Sequence, residues 1–272
     1  MHVVDPERYP VSAGALYEPP THRLHDALAF ESSLGLDKIV LVQPSIYGID
    51  NSCLIDALKV LGPSRGRGVV VIDPANAPLA ELKEWDSLGV RGVRLNLRSV
   101  GKVMSKEQLT ETLLQQADAV RPLGWVIQVY LSLNMIPMLE DIIPRLGTKV
   151  CIDHFGGPDL SSTPGDQCST FDPFTMPGFS SLVSLAQRKM VYVKFSAPYR
   201  FSKDRSMRDI RAISLELLRA APGQVVYASD WPHTRCEGVN IVPFTESCLD
   251  WCGNDPYLIE RLFKRNSEAM FS

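Results

Sequence analysis

Residues 225–228, Val-Val-Tyr-Ala, run into Ser229-Asp230-Trp231-Pro232-His233, so an apolar run ends on a carboxylate and an imidazole in one turn. Pro232 prevents that turn from continuing as strand or helix. A carboxylate held beside a scissile bond can take a proton from water, which makes Asp230 a candidate general base. Capping the next helix would also explain an aspartate here. Ile152-Asp153-His154-Phe155-Gly156-Gly157-Pro158 ends an earlier apolar run in the same style, and His2 lies at the first one. An imidazole at such a position can polarise a carbonyl oxygen or stabilise the oxyanion formed on attack, the role expected of His154 and His2. Arg94, Arg98 and Arg200 follow other strand-like runs and suggest an anionic substrate, because guanidinium groups grip carboxylates with two parallel hydrogen bonds. Arg94 stands out, flanked by Val93 and Leu95. Ser45, Tyr47, Tyr130 and His233 complete the set of polar groups at run ends. Lys194 alternates with apolar neighbours and is read as structural or inward-facing, outside the catalytic set.

The elements that must position these residues alternate regularly. Strands are expected near residues 1, 38, 68, 90, 125, 149, 190 and 224. Helices are expected over residues 21–34, 51–61, 79–88, 106–120, 136–145, 179–187, 208–220, 244–252 and 257–269. Several strand runs are continuously apolar, as when both faces of a parallel sheet are covered. Eight such units in 272 residues are the arithmetic of an α/β (β/α)8 TIM barrel, read here as a single domain over residues 1–272 with a shortened first strand. A doubly wound sheet would call for a glycine-rich phosphate loop, and neither GxGxxG nor GxxxxGK[ST] occurs. In a barrel only the carboxyl ends of strands share the mouth, where the residues named above fall. The longest irregular stretch, residues 156–177, has the length of a functional lid or a disordered segment.

Composition narrows the classes. The chain is 45% hydrophobic and 22% charged, with a formal charge of -3; it offers no basic surface for nucleic acid or an anionic membrane. There is no apolar run near 18 residues and no signal-like N-terminus, so a cytoplasmic protein is expected. The six cysteines, Cys53, Cys151, Cys168, Cys236, Cys248 and Cys252, form no CxxC pair, and Cys248 with Cys252 reads as an idle pair rather than a metal site.

Six segments together resemble the lactonase branch of the amidohydrolase superfamily, which includes 2-pyrone-4,6-dicarboxylate and sugar lactonases. They are Val3-Val4-Asp5-Pro6 with Tyr9-Pro10, the stretch from Val42-Gln43-Pro44-Ser45 through Tyr47 to Asn51, Arg91-Gly92-Val93-Arg94-Leu95-Asn96, Ile152-Asp153-His154-Phe155-Gly156-Gly157, Val193-Lys194-Phe195-Ser196 through Arg200, and Ser229-Asp230-Trp231-Pro232-His233. The resemblance implies a (β/α)8 hydrolase that opens a small carboxylated lactone, with Asp230 activating water and His154 and His2 polarising the carbonyl. Arg94 and Arg200 match anion-binding positions; Arg98, Tyr47, Ser45 and Tyr130 are placed less closely. It also implies catalysis without a metal cofactor, although many relatives bind zinc, for which His2, His154 and Asp230 would be the ligands. Relatives begin with Asp-x-His-x-His, whereas this sequence starts at the residue between those histidines; the expectation is either a start further upstream or a shortened first strand that lacks one ligand. Two alternatives stay open: a zinc-dependent decarboxylase or hydratase of an aromatic acid, and an inactive ligand-binding paralogue. Homo-oligomerisation is compatible with either.

Overall fold

Seven parallel strands, β1 (Ile39–Val42), β2 (Gly66–Val70), β3 (Val90–Asn96), β4 (Val126–Tyr130), β5 (Val150–Ile152), β6 (Val191–Phe195) and β7 (Val225–Tyr227), follow chain order in the sheet of the computed structural model, which describes residues 1–161 and 171–272. Helices alternate with them: α1 (Leu24–Ser33), α2 (Ser52–Leu61), α3 (Leu79–Leu88), α4 (Lys106–Val120), α5 (Ile136–Leu146), α6 (Phe179–Gln187), α7 (Arg208–Ala220), α8 (Val242–Trp251), α9 (Pro256–Glu260) and α10 (Asn266–Met270). This is the alternating α/β architecture expected, with seven strands among the described residues where eight were expected. Part of the predicted long loop, including Cys168, lies outside the described residues.

Two compact units are distinguished: Met1–Gln128 with Asp230–Val239 and Phe271, and Val129–Ser229 with Asn240–Met270 and Ser272. In the first unit β1 pairs with β2 from Ile39↔Gly66 to Val42↔Val69, and β2 pairs with β3, both in parallel. The side chains beneath are apolar and dry, with Leu41, Val69, Val70 and Val93 fully buried. Trp125 is buried too, and its indole N–H donates to Asp86 Oδ1 at 2.7 Å. That bond lets a large ring be buried without stranding its one polar atom.

The expected first strand is replaced by a tether. The Met1 ammonium donates to Val40 O (3.0 Å), and Val42 N donates to Met1 O (2.8 Å). Val4 then turns to an antiparallel bridge with His22, and Pro6 supplies no N–H to extend any ladder. The same bridge accounts for the later start of α1. Residues 21–22 are held extended against Val4, so the helix begins at Leu24 with Arg23 as its N-cap. Arg23 Nε also binds the buried Asp5 carboxylate at 2.9 Å, holding that carboxyl below its usual range.

In the second unit β5 pairs with β6 and β6 with β7, again in parallel. Lys194 on β6 lies 3.0 Å from the Asp153 carboxylate that follows β5, both buried. The expected closing helix over residues 257–269 is one helical path with a π-helical segment, Arg261–Arg265, between α9 and α10. Asn266 follows that segment directly, and its side chain donates to Pro222 O and Val225 O at 2.8 and 2.7 Å.

Candidate active site

The first unit gathers His2, Arg94 and Asp230. His2 is fixed by its backbone N–H, which donates to Trp231 O at 2.9 Å, and by its ring Nδ1, 2.7 Å from Val42 O at the end of β1. A carbonyl oxygen only accepts, so Nδ1 carries the proton. Burial, helped by the charges of Arg94 and the N-terminal ammonium, pushes the His2 pKa down to about 3, with Asp230 acting in the opposite sense. The ring is therefore neutral near pH 7 and presents Nε2 as a lone pair. Donation to a carbonyl oxygen, the role expected of His2, needs the other tautomer.

Arg94 sits on β3, 7% exposed. Its Nη1 donates to Gln43 O at 3.0 Å, and Gln43 is itself buried and donates through Nε2 to Asp50 O at 2.6 Å. Gln43 thus orients the guanidinium, a role that its place next to Pro44 in the sequence did not reveal.

Asp230 is partly exposed and holds φ +58°, a left-handed backbone that aspartate and asparagine tolerate better than most residues. His233 N donates to Asp230 O at 2.8 Å. The segment is anchored through Trp231, whose ring stacks on Phe30 of α1 at 5.9 Å and meets His22 edge-on at 5.3 Å; His233, 5% exposed, also packs edge-on against Phe30. Arg235 lies over the Tyr17 ring at 4.6 Å.

Other expected residues of this unit divide. Ser45 is half-buried in a short turn, Ser45–Tyr47, and Arg98 is half-buried in another, Arg98–Val100. Tyr47 is 2% exposed, and its hydroxyl accepts from Asp5 N at 2.9 Å. Burial pushes its pKa up to about 12. Its side chain braces the N-terminal segment through that bond.

The second unit gathers His154, Tyr130 and Ser196. His154 opens a turn after β5 at φ +52°, and Phe155 follows at +56°. Non-glycine residues in this region cost free energy and occur where surrounding structure enforces them, often at functional sites. The His154 ring is buried and meets Tyr130, the last residue of β4, edge-on at 4.7 Å; Phe201 lies 6.4 Å away. Its Nδ1 is 2.7 Å from Ser196 Oγ. Arg200, in the turn after β6, has its guanidinium 5.4 Å from the Tyr199 ring centroid. Lys194 is committed to Asp153, in keeping with its structural reading.

Among the described residues no group of three or more His, Cys, Asp and Glu side chains is placed to hold a metal ion. His2 Nε2 and Asp230 offer two donors, whereas a catalytic zinc takes three from the protein. The first unit by itself is one donor short of that set, and no step below passes through a zinc. Cys248 and Cys252 are buried free thiols, as expected of an idle pair, with burial pushing Cys252 up to about 11 and Cys248 well above its usual range. No described helix is long and apolar enough to cross a membrane.

The amidohydrolase family model matches residues 1–272. A 2-pyrone-4,6-dicarboxylate hydrolase of Comamonas testosteroni is 29% identical over 243 residues, 85% of this chain and 75% of that protein. A 4-sulfomuconolactone hydrolase of Hydrogenophaga intermedia is 29% identical over 247 residues, 89% of this chain and 76% of its own length. Among solved structures, a candidate 2-pyrone-4,6-dicarboxylic acid hydrolase from Pseudomonas putida superposes with a TM-score of 0.81 at 30% identity, covering 99% of this chain and 94% of that one.

Proposed function

Because the chain belongs to the amidohydrolase family, we propose that it hydrolyses a carboxylated lactone with Asp230 as the base that activates water. The observation that carries this reading is the coupling of Asp230 to a neutral His2 whose Nδ1–H is committed to Val42 O. Two acceptors, the carboxylate and His2 Nε2, suit one water molecule. The carboxylate takes one proton as the water oxygen attacks the acyl carbon, while Nε2 accepts a hydrogen bond from the remaining O–H and aims the oxygen lone pair. The acyl bond to the ring oxygen then breaks, and protonated Asp230 returns its proton to that oxygen. Carbonyl polarisation falls to His154 by the family resemblance. Arg94, with Arg98 and Arg200, is assigned to substrate carboxylates. Tyr130, Ser45 and His233 are assigned to substrate contacts. The named activities of the 29% identical relatives, which open rings bearing carboxylate or sulfonate groups, support an anionic lactone as substrate.

The test is ring opening across a panel that includes 2-pyrone-4,6-dicarboxylate, a muconolactone and sugar lactones, followed with a pH indicator on chelator-treated protein. Turnover of an anionic lactone, lost on esterifying its carboxylates, is expected. Silence across the panel before and after zinc addition would overturn the proposal.

A further inference from the structure

We propose that Ser196 is a positioning residue that donates its hydroxyl proton to Nδ1 of His154 and so fixes that ring with its own proton on Nε2. Ser196 follows β6 directly, is 0% exposed, and has its Oγ 2.7 Å from His154 Nδ1. Among the described residues Oγ has no other hydrogen-bond partner. Two arrangements satisfy the distance. If Nδ1–H donated to Oγ, the serine proton would be buried without an acceptor, an unfavourable arrangement. If Oγ–H donates to the Nδ1 lone pair, both groups are satisfied. The second arrangement wins, and it places the imidazole N–H on Nε2.

The ring has little freedom to escape this choice. Tyr130 meets it edge-on at 4.7 Å, and the left-handed backbone at His154 and Phe155 sets the direction in which it leaves the chain. A buried hydroxyl on the end of a strand is a rigid donor, unlike a serine on an exposed loop.

The outcome is opposite to that at His2. There a carbonyl oxygen forces the proton onto Nδ1 and leaves Nε2 as an acceptor. At His154 a hydroxyl leaves Nδ1 bare and turns Nε2 into a donor. Resting on the lactone reading above, the consequence is that His154 can hydrogen-bond a lactone carbonyl oxygen while staying neutral. In this tautomer Nε2 has no lone pair to offer a metal.

The experiment is long-range 15N–1H correlation NMR of the wild-type protein, with His154 assigned through His154→Gln, alongside Ser196→Ala and Ser196→Thr. The wild type and Ser196→Thr are expected to show Nε2 protonated and Nδ1 bare. Ser196→Ala should shift His154 toward the other tautomer and lose roughly tenfold to a hundredfold in kcat with KM little changed. A wild-type His154 protonated on Nδ1 overturns the inference, as does a Ser196→Ala protein with unaltered tautomer and kcat. The NMR measurement needs no substrate, so failure of the lactone assay leaves this test intact. The wild-type spectrum decides even where Ser196→Ala does not fold.

Discussion

The ring Nδ1 of His2 lies 2.7 Å from the carbonyl oxygen of Val42, and that one contact makes the imidazole an acceptor. Its pH consequence follows from linkage. With the folded pKa pushed down to about 3 against an ordinary value of 6.5, the unfolded chain binds a proton between those limits that the folded chain refuses. Stability is therefore undiminished by His2 above pH 6.5 and falls as pH drops through that window. His2→Asn keeps an N–H for Val42 O but has no titrating ring. Its melting temperature should fall less steeply than the wild type's between pH 6.5 and 4. Its kcat should drop by roughly tenfold or more, since the second acceptor for water is gone. Parallel melting curves for the two proteins across that range would refute the assignment.

Asp230→Asn is the decisive change at the base. Asparagine has the same shape and accepts φ +58°, so the fold should survive, whereas a β-branched residue would add backbone strain. Loss of about 10²–10⁴ in kcat is expected for removal of a general base. Unchanged far-UV circular dichroism with retained turnover would exclude Asp230 from the chemistry.

Helix limits were readable where local chemistry sets them. The bounds of α3, α4, α6 and α7 coincide with those expected, because Gly89 in left-handed conformation, the Ser105 capping box and Gly178 act within a few residues of the helix end. A Cβ on Gly178 would lie 2.0 Å from Leu133 O, so glycine is required there for space as well as for φ +94°. The start of α1 and the first strand were not readable, since both turn on the Val4–His22 bridge, a contact across the fold. The site divides in the same way. An ionisable residue at the end of an apolar run marks Asp230 and His154 in the sequence. Which ring nitrogen carries a proton depends on Val42 O and Ser196 Oγ, about 40 residues away along the chain.

Tyr47→Phe separates bracing from binding. The hydroxyl accepts the buried Asp5 N–H at 2.9 Å, and removing it leaves that N–H unsatisfied at a cost of about 1–3 kcal/mol. Urea unfolding should show that loss while KM for the preferred lactone stays within about twofold. A large rise in KM with unchanged stability would return Tyr47 to the substrate.

Lys194 and Asp153 test whether a charge next to the candidate site is structural. Lys194→Met keeps the length of the stem but removes the cation 3.0 Å from a buried carboxylate. Breaking one side of such a pair costs about 3–5 kcal/mol, because the remaining charge keeps its desolvation penalty without its partner. Adding Asp153→Asn should restore much of the stability, since neutralising the second member removes that penalty. The double-mutant cycle, read by urea unfolding at pH 7, gives the coupling directly. Strong coupling with kcat recovered in the double variant identifies the pair as an internal brace between β5 and β6. Stability restored without recovery of kcat would instead make Lys194 a participant in the chemistry.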